Sequence, residues 1–359
     1  MAERGGPMNG SKACRAKGGA RKRRLLPCLE RGGGVQRLQD GFGRRFPYLR
    51  LSITEACNFR CTYCLPNGYR KSAPHDFLSV DEVSRLVRAF HALGVRKVRL
   101  TGGEPSVRRD LTAIIAAVAA TGVEKVALTT NGWRLARDLH DWVQAGLTHL
   151  NVSVDSLDPS VFARVTGHDR LTDVLAGVDA ALACSQPKVK LNAVLLRDTL
   201  AGGFDAYASF LMDRAISVRF IELMRTRDNA AFFAAQHVAG PELRNWLSER
   251  GWSPVARHYD DGPAMEFSHP HYRGRFGLIA PYAPGFCDSC NRLRVTARGK
   301  LRLCLFGEGG VDLRDLLQSR ADSAALQARI RGALHAKPAA HRLREGISGD
   351  TRQLADVGG

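Results

Sequence analysis

From Tyr48 onward, short runs of apolar residues alternate with longer segments in which apolar residues recur every three or four positions. The short runs predict β-strands, and the longer segments predict amphipathic helices. Regular alternation of the two is typical of parallel strands covered by helices. The predicted strands span residues 48–54, 97–101, 125–129, 149–154, 189–195 and 218–222. The predicted helices include residues 80–93, 109–121, 135–145, 173–183 and 204–212.

Six strand–helix units predict an α/β fold, namely a partial (βα)6 barrel of the TIM type. In such folds the loops at the C-terminal ends of the strands carry the chemistry. After residues 241–250 the pattern changes to short strands and turns, which predicts a smaller C-terminal lobe. The predicted organisation is therefore a basic extension (1–41), the partial barrel (42–240), the C-terminal lobe (241–340) and a tail (341–359).

Positive charge is concentrated near the start of the chain. The net charge is +18, and residues 1–46 contribute +9 of it, with twelve Lys or Arg against three acidic residues. This segment is rich in Gly and Arg with little apolar periodicity, so we expect it to be disordered. It is basic and acid-poor like an organellar transit peptide, but it has almost no serine. No aromatic or base-reading motif accompanies the charge, so specific nucleic-acid recognition is not expected.

The cysteines indicate a reducing compartment. Six of the nine fall into two groups of three, and no secretory segment is evident. No apolar run approaches the roughly 18 residues of a membrane helix. We therefore expect a cytoplasmic protein without membrane contact. Cys14, Cys28 and Cys184 remain, and the Ala-rich helical pattern around Cys184 predicts a small core residue.

The first cysteine trio reads CNFRCTYC and consists of Cys57, Cys61 and Cys64. Three thiolates at this spacing, just after the first predicted strand, suit one face of a cubane iron–sulfur cluster. The fourth iron then has no protein ligand and can bind a substrate or cofactor. The motif therefore predicts chemistry at the cluster rather than electron transfer alone.

The second trio lies far downstream and consists of Cys287 and Cys290, in FCDSC, followed by Cys304. Again no fourth cysteine is nearby, which predicts a second open cluster. Paired cysteines at this spacing also hold zinc, and His269 or His271 could complete such a site. From the spacing alone both interpretations stay open.

The loop TGGEP follows the second predicted strand, from Thr101 to Pro105. Its two glycines allow the backbone to approach a ligand closely, and its carboxylate can receive an ammonium. Glycines after a strand often form only a turn. Because adjacent parallel strands bring their loops together, we expect this loop to lie beside the first trio.

Several motifs together give the chain a strong resemblance to the radical S-adenosylmethionine (SAM) superfamily, and within it to the GTP 3′,8-cyclase family. The resemblance runs from about Phe42 to Gly359. Its motifs, in the family's order, are YLRLSIT, CNFRCTYCLPNGY, KVRLTGGEP, LTTNG, NVSVDSLD, VKLN, RFIELM, FCDSCNRLRV and GKLRLCLFGEGG. The CX3CX2C spacing identifies only the superfamily, whereas NRLR between two ligands of the second trio is specific to this family.

The resemblance implies roles for individual residues. The first trio would hold a [4Fe–4S] cluster whose open iron binds the amino and carboxyl groups of SAM. The second trio would hold another [4Fe–4S] cluster whose open iron binds the guanine base. Positions matching the SAM site are Tyr63, Gly103, Ser153 and Met224. Positions matching GTP contacts are Arg50, Arg99, Thr129, Lys190, Arg292, Leu293 and Arg294. The terminal Gly358 and Gly359 match the family's Gly–Gly, which reaches into the active site.

The residues themselves agree with that assignment. A triphosphate in a partly dry site requires fixed guanidinium and ammonium groups. Arg292 and Arg294 alternate along a predicted strand, so both face the same side. Taken singly, each arginine is more often a solvated surface charge.

The resemblance also implies the reaction and its partners. A 5′-deoxyadenosyl radical would remove the 3′ hydrogen of the GTP ribose, and the 3′ carbon would bond to carbon 8 of guanine, giving the first intermediate of molybdenum cofactor biosynthesis. An electron donor such as flavodoxin or ferredoxin and a downstream cyclic pyranopterin monophosphate synthase would be partners of a monomer or homodimer.

Two features depart from the family pattern. Residues 354–357, before the terminal glycines, include Asp356 where relatives usually carry an aromatic or polar residue and then Ile. The resemblance does not explain the basic extension.

Two alternatives to a GTP cyclase predict different behaviour. A radical enzyme acting on a peptide would cleave SAM without consuming GTP, and a basic zinc protein would bind nucleic acid with a steep salt dependence.

Overall fold

A twelve-stranded mixed sheet organises residues 37–70, 76–256 and 262–358, the part of the chain that the computed structural model describes. Most of the predicted basic extension, Cys14, Cys28 and Gly359 lie outside these residues. The first six strands are Tyr48–Ser52 (β1), Lys97–Thr101 (β2), Lys125–Thr130 (β3), His149–Ser153 (β4), Lys188–Leu195 (β5) and Ser217–Glu222 (β6). The others are Ser253–Pro254 (β7), Met265–Ser268 (β8), Arg275–Ile279 (β9), Arg292–Val295 (β10), Lys300–Arg302 (β11) and Val311–Asp312 (β12). All six predicted strands are confirmed, with ends that differ by at most two residues.

The helices lie between the strands. They are Val80–Ala92 (α1), Leu111–Ala119 (α2), Leu135–Gln144 (α3), Pro159–Thr166 (α4), Leu171–Ala183 (α5), Asp205–Met212 (α6), Ala230–Gln236 (α7), Gly240–Glu249 (α8) and Ser323–Ala333 (α9). Helix α1 illustrates why the local sequence forms a helix. Ser79 and Glu82 form a capping box at its start, and the buried face of α1 includes Val83, Leu86 and Phe90. None of the described helices has the length and apolar character needed to cross a bilayer.

Strands from the predicted C-terminal lobe extend the sheet at both ends. The strand order is β12-β11-β10-β1-β2-β3-β4-β5-β6-β9-β8-β7. Strand β10 pairs in parallel with β1, and β9 pairs in parallel with β6, so eight neighbouring strands run in one direction. The outer strands β11, β12, β8 and β7 pair antiparallel. The boundary at residue 240 stays a prediction, because one sheet includes strands from both sides of it.

Alternation along the strands separates an apolar outer face from a polar inner face. On β1, Leu49 and Leu51 are fully buried in the apolar core that the helices cover. Tyr48 and Arg50 have the opposite orientation, because successive side chains of a strand point to opposite faces. The fold thus presents every second residue of eight parallel strands to one interior.

Candidate active site inside the curved sheet

One cavity is lined by residues from all eight parallel strands, so the sheet curves around it. Of the predicted GTP contacts, those lining the cavity are Arg50, Arg99, Thr129, Arg292 and Arg294. All three cysteines of the second trio line it too, as does Met224 from the predicted SAM site. The structure therefore brings the second trio and most predicted GTP contacts to a single site.

Three arginines form a row across adjacent strands of this cavity. Arg50 on β1 is in register with Arg294 on one side and with Arg99 on the other. Burial, together with the neighbouring charges of Arg99 and Arg292, lowers the pKa of Arg50 to about 10 against the opposing effect of Tyr48. Like charges held this closely are favourable once an anion lies between them. The row is thus suited to bind a polyanionic ligand.

Tyr48 lies against this row. The Arg99 guanidinium donates a 2.6 Å hydrogen bond to the Tyr48 hydroxyl oxygen, and the Lys97 ammonium lies 4.8 Å from the Tyr48 ring centroid. Burial raises the pKa of Tyr48, but the positive charges of Arg99, Arg50 and Lys97 outweigh it and bring the pKa to about 7. The pKa of Tyr48 therefore depends on the positive charge of the cavity.

Two predicted GTP residues lie outside the cavity lining. The Lys190 ammonium donates a 3.0 Å hydrogen bond to the Glu266 carboxylate, which also accepts a 2.6 Å bond from Arg219. Burial raises the pKa of Glu266, but Lys190 and Arg219 bring it down to about 2, so the carboxylate is ionised. Leu293 is fully buried in the apolar core, on the face of β10 opposite Arg292 and Arg294. A contact between Leu293 and GTP would have to use its backbone.

The first trio lies in the loop after β1, as predicted. The backbone N–H groups of Arg60 and Thr62 donate to the carbonyls of Thr166 and Val165, which fastens this loop to the end of α4. The Phe59 N–H donates to the Cys57 sulfur over 3.4 Å. Burial raises the pKa of the Cys57 thiol to about 11. A metal ion bound at this thiol would have to displace its proton.

The TGGEP loop lies directly against the first trio's loop, as expected for neighbouring parallel strands. The Gly103 N–H donates to the Thr54 carbonyl, and the Glu104 N–H donates to the Ala56 carbonyl. A Cβ atom at Gly103 would lie 2.3 Å from the Ala56 oxygen, and one at Gly102 would lie 2.2 Å from the Thr54 oxygen at φ +151°. Both glycines are thus required for the contact between the loops.

The carboxylate of Glu104 accepts three hydrogen bonds from the protein. One oxygen accepts from the Ser106 N–H and the Thr130 hydroxyl, and the other accepts from the Asn131 N–H. Burial raises its pKa. Glu104 thus braces the loops after β2 and β3, and its role in receiving a ligand ammonium stays a prediction.

The predicted SAM residues Tyr63 and Ser153 lie near the C-terminal ends of strands. Tyr63 is in the cysteine loop that follows β1, and Ser153 is the last residue of β4. The Tyr63 hydroxyl donates a 2.8 Å hydrogen bond to Asp155, whose other oxygen accepts from the Val194 N–H. Burial raises the pKa of Asp155 to about 6. Ser153 ends β4, two residues before Asp155. This network fixes the position of the Tyr63 ring within the cysteine loop.

The second trio is surrounded by cations. Cys287 and Cys290 are joined by a turn, in which the Cys290 N–H donates to the Cys287 carbonyl. Burial raises the pKa of Cys290, but Lys337 and Arg292 outweigh it and the net pKa is lowered. All seven described cysteines are free of disulfides. Three thiols beside fixed positive charges suit a cluster whose thiolate ligands carry negative charge.

The zinc interpretation of the second trio finds no support at His269 or His271. His269 packs against Trp252 and Tyr272, and neither histidine lines the cavity with the trio. Among the described residues, no group of three or more Cys, His, Asp or Glu side chains is placed to hold one metal ion.

The C-terminal tail reaches the row of arginines. The Arg294 guanidinium donates a 2.6 Å hydrogen bond to the Gly358 carbonyl. A Cβ atom at Gly358, where φ is +69°, would lie 2.5 Å from the Thr101 side chain. Gly359 and the side chain of Asp356 lie outside the described part of the chain. Arg294, a predicted GTP contact, thus also contacts the first of the two predicted tail glycines.

Cavity residues that the sequence reasoning missed include Tyr48, Lys97, Arg219 and Lys337. For three of these residues, the position on a predicted strand could have indicated that they face the cavity. Tyr48 and Lys97 each stand two positions before a predicted GTP contact on the same strand, and Arg219 lies on the sixth predicted strand. Lys337 follows α9 far from any motif, and no local pattern indicates it.

The prediction that Cys184 is a core residue is wrong. The sequence predicts a small core residue, but the side chain is exposed at the end of α5. The helix buries a face that includes Val174, Val178 and Ala181, and Cys184 lies beyond it as the C-cap.

Comparisons with known proteins show which families this chain resembles. The model of the radical SAM superfamily matches residues 51–208, and the model described as Molybdenum Cofactor Synthesis C matches residues 216–343. A GTP 3′,8-cyclase of Klebsiella pneumoniae is 54% identical over 328 residues, which cover 90% of this chain and 100% of that protein. A GTP 3′,8-cyclase of Stenotrophomonas maltophilia is 56% identical over 326 residues, with the same coverage.

A solved structure supports the fold. Streptococcus suis SuiB bound to S-adenosylmethionine matches with a TM-score of 0.53 at 13% identity, over 79% of this chain and 68% of SuiB. At this identity the likeness concerns the fold alone.

Proposed function

This chain belongs to the GTP 3′,8-cyclase family of the radical SAM superfamily, and we propose which of its residues perform the reaction. The activity is the cyclisation of GTP to (8S)-3′,8-cyclo-7,8-dihydroguanosine 5′-triphosphate, the first step of molybdenum cofactor biosynthesis. SAM and an iron–sulfur cluster are its cofactors. The observation that carries the residue assignment is the single cavity that joins the arginine row to the second trio.

The first trio, Cys57, Cys61 and Cys64, would hold the cluster that binds SAM. When bound, SAM and the reduced cluster together supply the 5′-deoxyadenosyl radical that abstracts the ribose 3′ hydrogen. The chain's own task on this side is to shape the SAM site. The paired loops of Thr54–Ala56 and Gly102–Glu104 close one wall, and the Asp155 hydrogen bond holds Tyr63 in place.

The second trio, Cys287, Cys290 and Cys304, would hold a second [4Fe–4S] cluster that binds the guanine base. Its place in the lining of the cavity supports this, because the base would then lie beside the arginines. Arg50, Arg99 and Arg294 would bind the triphosphate through paired N–H groups. Held at both ends, the ribose would present its 3′ carbon in one orientation, and the curved sheet would exclude water from the radical.

We further propose an electron donor such as flavodoxin or ferredoxin, and transfer of the product to cyclic pyranopterin monophosphate synthase. The reductive cleavage of SAM consumes an electron, which such a donor would supply to the cluster. Residues of one chain line the whole described cavity, so a monomer and a homodimer are equally compatible with it.

Isotope transfer tests the proposed chemistry. We expect GTP deuterated at the ribose 3′ carbon to yield 5′-deoxyadenosine that carries deuterium, together with an isomer of GTP. The readout is mass spectrometry after anaerobic incubation with SAM and a reductant. Deuterium-free 5′-deoxyadenosine with unchanged GTP would instead indicate a radical enzyme with another substrate.

The titration of Tyr48 tests the charge of the cavity. The tyrosine is expected to ionise near pH 7 in the ligand-free protein, and at a higher pH with GTP bound, because the triphosphate adds negative charge beside it. GTP binding then takes up a proton above pH 7, so this residue makes the affinity fall as the pH rises. Carbon-13 NMR of labelled tyrosine, with Tyr48→Phe to assign the signal, measures both midpoints. An ordinary midpoint near 10 in the free protein would contradict the assignment of Arg50, Arg99 and Lys97 to one charged group.

A further inference from the structure

A buried arginine outside every motif for the known reaction contacts the second trio. The Arg44 side chain is 7% exposed and lies in the segment before β1. Its guanidinium donates a 3.1 Å hydrogen bond to the carbonyl of Cys287. It also donates to the carbonyls of Ala339 (2.5 Å) and Pro338 (2.6 Å). One guanidinium thus joins the loop of the second trio to a segment fifty residues further along the chain.

Asp40 fixes the orientation of this guanidinium. The Asp40 carboxylate, whose side chain is fully buried, accepts a 2.7 Å bond from the Arg44 Nε atom and a 3.0 Å bond from the Arg44 backbone N–H. Removing one partner from a buried ion pair is costly because it leaves the other charge uncompensated. The pair is therefore a rigid platform for the three carbonyl contacts.

The segment that Arg44 holds carries a second cation into the cavity. Lys337, which is 5% exposed, immediately precedes Pro338 and lines the cavity together with Cys290 and Cys304. Its ammonium donates to the carbonyl of Leu303, the residue before Cys304. Two cations thus bond to the backbone of the ligand loops, Arg44 at Cys287 and Lys337 at the residue before Cys304.

We propose that Arg44 and Lys337 form a cationic brace that positions the second trio and supplies counter-charge to its cluster. The inference rests on the second cluster proposed above. Three thiolates give such a cluster a net negative charge, and reduction adds one more, so buried positive charges stabilise both the bound cluster and its reduced form. Outer contacts of this kind hold ligands in place, and their loss commonly weakens metal binding by on the order of 10- to 100-fold.

The test compares Arg44→Gln and Lys337→Gln with the unaltered full-length protein after anaerobic reconstitution. We expect release of second-cluster iron to a chelator to become on the order of 10- to 100-fold faster, while the first cluster and SAM cleavage persist. Arg314→Gln is the matched control. Arg314 also pairs with a buried carboxylate, that of Glu82 at the start of α1, but contacts neither trio.

The reduction potential of the second cluster shows whether Arg44 supplies counter-charge to the cluster or only holds chain segments together. In full-length protein with Cys57, Cys61 and Cys64 replaced by Ala, only the second cluster remains to be titrated. Arg44→Gln is expected to lower its potential, because a positive charge that favours the reduced form is lost. Arg44→Lys keeps the charge but not the planar fork, so it should release iron faster with a smaller change in potential.

Two results would overturn the brace. Eight irons with unchanged release rate and unchanged potential in both Gln variants would contradict the brace alone, and would leave Arg44 as a fastener of chain segments. Four irons in the unaltered protein would contradict the proposed second cluster, and the brace with it.

Discussion

Replacing Cys61 by Ala is expected to abolish SAM cleavage and GTP conversion together, with iron falling from about eight to about four per chain. The reason is that two thiolates cannot hold the first cluster, while the second trio lies on different loops. Iron analysis, release of 5′-deoxyadenosine and consumption of GTP are the three measurements.

Cys304→Ala should give a different pattern, since it removes a ligand of the second trio only. Iron is again expected to fall by about four, but slow SAM cleavage without GTP conversion should persist. Cys184→Ala is the control, because this exposed cysteine belongs to neither trio. Full GTP conversion by Cys304→Ala would show that the second trio has no part in the reaction.

Arg294→Ala is expected to have the second largest effect, by weakening GTP binding roughly 10- to 150-fold, the equivalent of about 1.5–3 kcal/mol for a lost hydrogen bond to a charged group. Arg294 stands in register with Arg50 and donates to the Gly358 carbonyl. The substitution therefore removes a charge from the arginine row and also the contact of the tail. Calorimetric GTP binding to the reconstituted protein measures the loss.

Two further variants serve as controls for Arg294→Ala. Arg294→Lys keeps the charge but loses the paired N–H groups, so it should recover only part of the affinity. Arg137→Ala removes an exposed arginine of α3 that pairs with Asp138, and no change is expected. Wild-type affinity in Arg294→Ala would mean that the guanidinium serves the tail rather than GTP.

The sequence predicts the central sheet well because local patterns determine it. Apolar runs mark all six strands, and the loops that follow the first two strands do meet. Helix α4 was not predicted, although Asp158 and Pro159 form an N-cap and first position typical of a helix start.

Other features depend on contacts that no local pattern contains. Glu104 is satisfied by groups from two loops, and Lys190 is turned toward Glu266 from a distant strand. Only the folded chain brings Arg44 and Lys337 to the second trio. The orientation of Leu293, by contrast, follows from a local pattern. Side chains alternate along β10, so Leu293 points into the core while its neighbour Arg292 points to the other face.

Metal and substrate analysis of the reconstituted protein tests the central claim, that the chain holds two open iron–sulfur clusters and that the second of them lies in the proposed GTP site. After anaerobic reconstitution, we expect about eight irons and no zinc per chain, with a change in the spectrum of the second cluster when GTP is added. About four irons together with zinc, and no spectral response to GTP, would contradict the account.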